Sequence, residues 1–188
     1  KMISSRVPLS ETWHAMESLK EDNLTKHIGV CNYSSGLLHD LMNYCETKPE
    51  ILQIESHPYL TQEKLIRLAK DYGLEVTAFS PLGSISYEEL GGAEESESIL
   101  KNKIVQSISK DIGITPAQLI LGWGLNRGTS IVVKSTNEIR MKENLAASRV
   151  KLKPSSIDKI SALNVNKRYN DPGIFCEDAF NTFFPIYE

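Results

Sequence analysis

A short polar segment, residues 131–140 (IVVKSTNEIR), has the composition of an anion-binding site. Its apolar start, 131–133, predicts a β-strand, and Asn137 has the chemistry of a helix N-cap. Backbone N–H groups at a helix N-terminus favour an anion, and two flanking cations strengthen that preference. The segment therefore predicts a phosphate pocket, with an ordinary strand-to-helix junction and solvated charges as the alternative. We call its polar residues the cation group: Lys134, Ser135, Thr136, Asn137 and Arg140.

Three other apolar runs also end in small polar side chains. Strands are predicted over 27–31, 51–55, 75–79 and 130–133, and the first three are followed by the polar stretches CNYS, ESHP and SPLGS. These side chains suit binding, because they contain neither a carboxylate pair at the spacing that glycosidases use nor a nucleophile–base couple. Within the ESHP stretch, we expect Glu55 to be an ion-paired strand end and His57 to order the loop.

Helical patterns separate these strands. The predicted strands begin at residues 27, 51, 75 and 130, so the first two intervals are both 24 residues, which is one β/α unit each. Such repeated units predict a parallel sheet with right-handed crossovers, and a (β/α) barrel rather than a doubly wound sheet. A complete barrel has eight units in about 250 residues, and four are visible here. The predicted helices cover residues 9–24 (capped by Ser10), 35–45, 61–72, 99–112 and 116–126 (capped by Thr115).

Length and composition narrow the possible partners. The 188 residues suit a single domain, and a net charge of −3 without a basic stripe predicts no nucleic-acid partner. No apolar stretch approaches the roughly 20 residues of a membrane helix, so no membrane partner is predicted. The three cysteines lack CxxC spacing, which favours free thiols and a cytoplasmic location. No metal site is predicted, because the four histidines are scattered.

Four motifs in order resemble the aldo-keto reductase family. They are GVCNYS at 29–34, QIESHPYLTQEKL at 53–65, VTAFSPLGS at 76–84 and VVKSTNEIRMKENL at 132–145, with RYNDP at 168–172 near the carboxyl terminus. The resemblance implies a (β/α)8 TIM barrel of which residues 1–188 cover roughly the second half, strands five to eight and the tail. It also implies an NADPH-dependent oxidoreductase that reduces an aldehyde or ketone, of the aldose or xylose reductase-like type.

The resemblance implies a binding site for the nicotinamide ring. Asn32 and Gln53 resemble the amides that hydrogen-bond the nicotinamide carboxamide, and Phe79 the aromatic side chain that stacks on the ring, where the family often has Tyr. Cys31 stands where the family usually has Ser, and we expect a weaker contact because a thiol is a weak donor. We call these four residues the strand-end group.

The resemblance also implies contacts to the rest of the cofactor. Ser80, Leu82 and Ser84 resemble the loop along the pyrophosphate, while Glu143 and Asn144 resemble the contacts to adenine. Within the cation group, Lys134, Ser135, Asn137 and Arg140 resemble the residues that hold the adenosine 2′-phosphate, and Thr136 is a further predicted cofactor contact. Two cations at that place favour NADPH over NADH, because a ribose hydroxyl offers no charge to neutralise.

Two further segments have roles implied by the resemblance. Residues 85–98, rich in glycine and acidic side chains, are predicted to form a long surface loop that acts as a flap over the cofactor. Residues 165–188 are predicted to form a tail on the substrate side, where Asn170 resembles a residue that contacts sugar hydroxyls.

No catalytic residue is assigned. The family uses a Tyr general acid with Lys, Asp and His, all from the first half of the barrel, and none of the seven Tyr here lies in the matching motif. Residues 1–7 resemble the middle of a loop, so we expect a missing first half as a partner and no activity of this chain alone. The alternatives are a non-catalytic nucleotide-binding or regulatory half-barrel, and a half-barrel that pairs with itself to protect its edge strands.

Overall fold

Four parallel strands form the sheet of this protein in a computed structural model, which describes residues 3, 5–88 and 92–187. The strand order along the sheet is β1–β2–β3–β4, as expected when each β/α unit is added beside the previous one. The strands are β1 (Gly29–Cys31), β2 (Ile51–Glu55), β3 (Glu75–Phe79) and β4 (Ser130–Ile131).

All four predicted strands are present, but the two at the edges are shorter than predicted. β1 begins at Gly29 rather than at residue 27, and β4 ends at Ile131 rather than at residue 133. Each of these strands has only one hydrogen-bonded neighbour, so fewer backbone bonds extend it. The Val132 N–H still donates to the Ala78 carbonyl at 2.9 Å, and the chain leaves the sheet after that bond. Lys134 therefore does not follow the end of β4 directly, as predicted, but lies three residues beyond Ile131.

Helices connect the strands, and those that pack against the buried side chains of the strands lie on one face of the sheet. Three of them differ in detail from the prediction. α1 begins at Leu9 after Pro8 rather than after a Ser10 cap, and α3 begins at Glu63 because Gln62 has a φ of +54°. The predicted helix 99–112 is divided at Asn102, whose side chain caps α5. The helices are α1 (Leu9–Glu21), α2 (Ser35–Tyr44), α3 (Glu63–Asp71), α4 (Ile85–Glu88), α5 (Lys103–Ile112), α6 (Pro116–Asn126), α7 (Glu138–Ala146), α8 (Pro154–Ser161) and α9 (Pro172–Phe180).

The flap and the tail have more regular structure than predicted. Residues 85–98 contain α4 and a 3₁₀ turn at Glu95–Glu97, whereas the composition indicated a loop throughout; residues 89–91 of this segment lie outside the described residues. The tail contains α9, which Asp171 caps by accepting a hydrogen bond from the Gly173 N–H. Both helices are short, so neither shows a clear sequence period.

The hydrophobic core occupies the face of the sheet that the helices cover. Leu52, Ile54 and Val76 project from β2 and β3 and pack against α2 and α3. A second cluster joins α5, α6 and α8 around the buried Trp123, and a third surrounds Trp13 on α1. No helix within the described ranges is long and apolar enough to cross a membrane.

The opposite face of the sheet is polar. Side chains alternate along a strand, so residues two apart share a face, and the parallel register aligns Cys31 with Gln53 and Gln53 with Thr77. The Thr77 and Ser130 hydroxyls are 2.7 Å apart on this face. A parallel α/β sheet with helices on one face and polar side chains on the other is consistent with part of a barrel.

Candidate functional site

The strand-end group lies together at the carboxyl edge of β1, β2 and β3. Cys31 and Gln53 are register partners, and the Cys31 Sγ lies 4.0 Å from Gln53 Oε1. Phe79 ends β3 and is the register partner of Glu55, which places it one pleat beyond Gln53. Burial raises the pKa of the Cys31 thiol, so this group stays protonated and acts only as a weak donor.

Asn32 carries an amide oxygen without a partner. Its backbone has a φ of +59°, and its N–H donates to the Gln53 carbonyl at 2.8 Å. Its side-chain Oδ1 is buried and accepts no hydrogen bond from any described residue. Because a buried acceptor without a donor is costly, this oxygen fits a ligand that brings an N–H group, such as a carboxamide.

The cation group extends from the segment after β4 into the first turn of α7, and most of it is exposed. Asn137 caps α7 as predicted, since its Oδ1 accepts from the Arg140 N–H at 3.0 Å. The Ser135 Oγ accepts from the Asn137 N–H at 3.1 Å and holds the turn before the helix. Within the described residues, no carboxylate lies within 4 Å of Lys134 or Arg140, so both positive charges are available to an anion.

The loop from Ser80 to Ser84 uses several of its side chains internally. Ser80 has a φ of +47°, and its hydroxyl lies 2.8 Å from the Tyr87 hydroxyl. The Leu82 side chain packs against the cluster around Trp123, and the fully buried Ser84 donates to Glu88 at 3.2 Å. Contacts of this loop to a pyrophosphate would therefore come mainly from its backbone.

The two predicted adenine contacts differ in their surroundings. The Glu143 carboxylate accepts a hydrogen bond from the Thr115 hydroxyl, and its backbone carbonyl accepts from Gln118 at 3.3 Å, which ties α7 to the start of α6. Asn144 is half-buried on the same helix. Glu143 thus has a structural role in addition to any contact with a ligand.

A buried carboxylate at the end of β2 fastens the tail. Glu55 is fully buried and accepts from the Tyr169 N–H at 2.9 Å and from the Asn170 N–H at 3.1 Å. His57 Nε2 lies 3.0 Å from one oxygen, and Arg168 Nη1 lies 3.5 Å from the other. The expectation that Glu55 is an ion-paired strand end is confirmed.

His57 has the structural place expected of it. It is fully buried, and its backbone exchanges two hydrogen bonds with Leu60, which closes the loop after β2. Its ring lies 5.3 Å from the ring of Tyr169. His57 therefore orders the loop after β2 and supports the tail.

The fastening of the tail is the feature that the sequence did not reveal. Glu55 and Tyr169 are 114 residues apart, and no local pattern connects them. The available signal was an acidic residue at the end of a buried strand, which demands a partner without identifying it. The structure also places the half-buried Asn170 here, with its backbone bound to Glu55, the register partner of Phe79.

Tyr169 lies in an apolar and acidic environment. Burial, followed by the charges of Glu97, Tyr59, Glu55 and Glu88, raises the pKa of its hydroxyl to about 12. The hydroxyl oxygen is buried and has no hydrogen-bond partner among the described residues. Across all the described residues, no group of three or more His, Cys, Asp or Glu side chains is arranged to hold a metal ion.

Comparison with known proteins identifies the family of this chain. The chain is similar to three fungal proteins described as probable NAD(P)H-dependent D-xylose reductases. It is 42% identical over 174 residues to that of Aspergillus fumigatus, a match that covers 92% of this chain and 55% of the relative. The match to Aspergillus terreus is 42% over 185 residues (97% of this chain, 56% of the relative), and that to Arthroderma otae is 41% over 189 residues (100% and 56%). It thus spans about half the length of these relatives. The sequence profile of the aldo/keto reductase family matches residues 2–165. This chain belongs to the aldo/keto reductase family.

Proposed function

We propose that this chain is the cofactor-binding part of an NADPH-dependent reductase that converts an aldehyde or ketone, of the sugar aldose type, to the alcohol. The observation that carries the proposal is the pair of cations, Lys134 and Arg140, at the N-terminus of α7 without a carboxylate partner among the described residues. A helix N-terminus flanked by two free cations suits a doubly charged phosphate. The strand-end group on the neighbouring strands suits the other end of the same cofactor.

The residues of this chain would bind and orient the cofactor. The cofactor supplies the hydride when it is bound. The free Asn32 Oδ1 would accept from the carboxamide N–H, while Gln53 holds the same group and Phe79 offers its face to the ring. Such contacts restrict the ring to one orientation, which raises the fraction of molecules in a reactive geometry. The backbone of the loop from Ser80 to Ser84 and the side chains of the cation group would hold the phosphates.

The substrate class is proposed from the relatives and from the tail. The relatives in Aspergillus and Arthroderma are described as D-xylose reductases, and xylose is a sugar aldehyde. Asn170 lies at the end of β2 beside the strand-end group, where its amide could bind a sugar hydroxyl. The proton donor of the reaction is not assigned to these residues, and we propose that further strands provide it. We also propose a cytoplasmic location, since Cys31 and Cys45 are free thiols.

Substitution of the two cations tests the proposed cofactor. We expect Lys134→Ala and Arg140→Ala each to raise the Kd for NADPH by about tenfold or more, because a charge-assisted hydrogen bond is worth about 1.5–3 kcal/mol. The Kd for NADH, which has no 2′-phosphate, should change little. Titration of nucleotide binding by protein fluorescence measures both values.

A matched control is Lys142→Ala on the same helix. Lys142 is exposed and pairs with Glu138 at 2.6 Å, so its removal changes the net charge by the same amount without touching the cation group. Equal losses for NADPH and NADH in the Lys134 and Arg140 variants, or no loss for either, would show that the 2′-phosphate assignment is wrong.

The competing proposal is a non-catalytic nucleotide-binding or regulatory module. It is favoured by the cation group together with the lack of an assigned general acid. Both proposals expect NADPH binding, so the discriminating measurement is aldehyde-dependent oxidation of NADPH by the protein that contains this chain.

A further inference from the structure

The carboxylate of Glu55 lies close to the strand-end group without belonging to it. Glu55 and Gln53 are two residues apart on β2 and therefore project from the same face of the strand. Glu55 is also the register partner of Phe79 on β3. The carboxylate thus stands at the end of the row that contains the proposed nicotinamide contacts.

Among the described residues, the Glu55 carboxylate has four polar contacts, and all of them are to the tail or to the loop after β2. Two come from consecutive backbone N–H groups, those of Tyr169 and Asn170, one on each carboxylate oxygen. Arg168 and His57 supply the remaining polar contacts. A buried carboxylate is stable only when donors surround it in this way, and the tail provides three of the four.

Just before this point, other contacts hold the tail. The N–H groups of Val165 and Lys167 both donate to the Tyr59 carbonyl, at 3.2 and 2.9 Å, and Lys167 pairs with Glu97 of the flap. Tyr169 is held by its ring, which lies 6.0 Å from the ring of Tyr87 and 5.3 Å from that of His57. Among the described residues, the hydrogen bond from its backbone N–H to Glu55 is the one that the structure shows for Asn170.

We propose that Glu55 is a positioning residue that fixes the backbone of Tyr169 and Asn170 and so places the Asn170 amide against the hydroxyls of the carbonyl substrate. This inference rests on the proposed function and adds a determinant of substrate specificity to it. Glu55 itself does not touch the substrate. Glu55 acts on the substrate through the tail. Its substitution should therefore change the KM for the substrate in a way that loss of a residue that only stabilises the fold would not.

Glu55→Gln, in the complete reductase that contains this chain, is the central test. The two backbone N–H groups bind separate oxygens of Glu55, and glutamine replaces one of these oxygens with an NH2 donor, so one N–H group would face a donor in place of its acceptor. We expect the KM for a polyhydroxylated aldose to rise about tenfold, the value of about one hydrogen bond, with little change in kcat. The KM for a simple aliphatic aldehyde without hydroxyls, and the Kd for NADPH, should stay within about twofold.

Asn170→Ala supplies the second arm of the test. If Glu55 acts through Asn170, the double variant should show the same rise in KM as either single variant, because both changes remove one shared contact. Additive effects of the two substitutions, or equal rises in KM for the two aldehydes, would overturn the proposal.

Glu50→Gln is the matched control at the start of β2. Glu50 is bonded to Lys20 and His27, far from the tail, and its substitution should leave both KM values unchanged. Glu55→Asp keeps the negative charge and both oxygens, so it should restore part of the lost affinity for the aldose.

Hydrogen exchange of the 188-residue chain tests the anchoring without any activity. In Glu55→Gln, the amides of Tyr169 and Asn170 should exchange faster, while those inside β2 and β3 keep their protection. Equal acceleration throughout the sheet would show that Glu55 stabilises the whole fold and would refute the proposal. If the wild-type protein reduces no aldehyde, the proposed function fails and the substrate role of Asn170 fails with it, yet the exchange data still decide whether Glu55 holds the tail.

Discussion

The Tyr169 hydroxyl makes the stability of the folded protein depend on pH. This hydroxyl is buried without a partner among the described residues, and its pKa is raised to about 12, chiefly by burial. A free tyrosine has a pKa of about 10, so the folded protein holds this proton more tightly than the unfolded chain does. The resulting stability is fully present below pH 10 and is lost as the pH rises towards 12.

Tyr169→Phe should therefore change the response to alkaline pH. At pH 7 we expect little loss in the free energy of unfolding, because the hydroxyl that is removed donates no hydrogen bond to a described residue. Between pH 10 and 12 the variant should lose less stability than the wild-type protein. Urea unfolding at a series of pH values measures this slope, and identical slopes for the two proteins would contradict the assignment.

Among the elements, α6 is the most deeply buried helix that the structure describes. Six consecutive residues, Leu119–Gly124, are buried, and Thr115 begins the helix with a capping box to Gln118. Because Gly122 has no side chain, Val150 packs directly against α6. A Cβ atom at residue 122 would lie 2.8 Å from Val150 Cγ1 and 2.9 Å from Val150 Cβ. The packing of α6 thus depends on a missing side chain.

Gly122→Ala tests this close approach. Overpacking of a core costs about 1–3 kcal/mol, while alanine in a helix returns at most about 1 kcal/mol. We expect a net loss in the free energy of unfolding, because the Val150 Cβ belongs to a rigid β-branched side chain. Chemical denaturation gives the value.

Gly36→Ala on α2 is the control for this substitution. Gly36 is exposed, and a Cβ atom there would meet only Ser34 Oγ, at 3.8 Å. This variant should be at least as stable as the wild-type protein. A similar loss at both glycines would mean that the contact with Val150 is not responsible.

At the scale of the whole molecule, the described residues cover the polar face of the sheet at the end of β2, where the tail packs on Glu55, and leave the face open at its two edges. Cys31 on β1 is exposed, and Val132, just beyond β4, is 53% exposed. The helices cover the other face, and the relatives are about twice as long as this chain. We propose that further strands close this face into a barrel and supply the general acid.

The 188-residue chain by itself should then bind NADPH without turnover. The expected result is a measurable Kd for NADPH and no aldehyde-dependent loss of its absorbance, because the proton donor is not among the assigned residues. Turnover by this chain alone would refute the proposal. Sedimentation of the same sample tests self-pairing, since a monomer would exclude a barrel made of two copies.

The sequence by itself determined the features that depend on neighbouring residues. The four strands, the Thr115 and Asn137 caps and the position of the cation group all follow from local propensities and from hydrogen bonds that span three residues. The interval of 24 residues between the first three predicted strands indicated the parallel topology, because each interval is long enough for one strand and one crossover helix. These features were predictable because each lies within one short window of the chain.

Only the tertiary structure decided how distant segments use their side chains. It brought Tyr169 and Asn170 onto Glu55, turned Leu82 into the core and gave α4 to a segment whose composition indicates a loop. The energies of these contacts depend on burial and on partners many residues away, and no local pattern contains them. The cation group could therefore be located from sequence, whereas the carboxylate that holds the substrate-side tail could be recognised only in the folded chain.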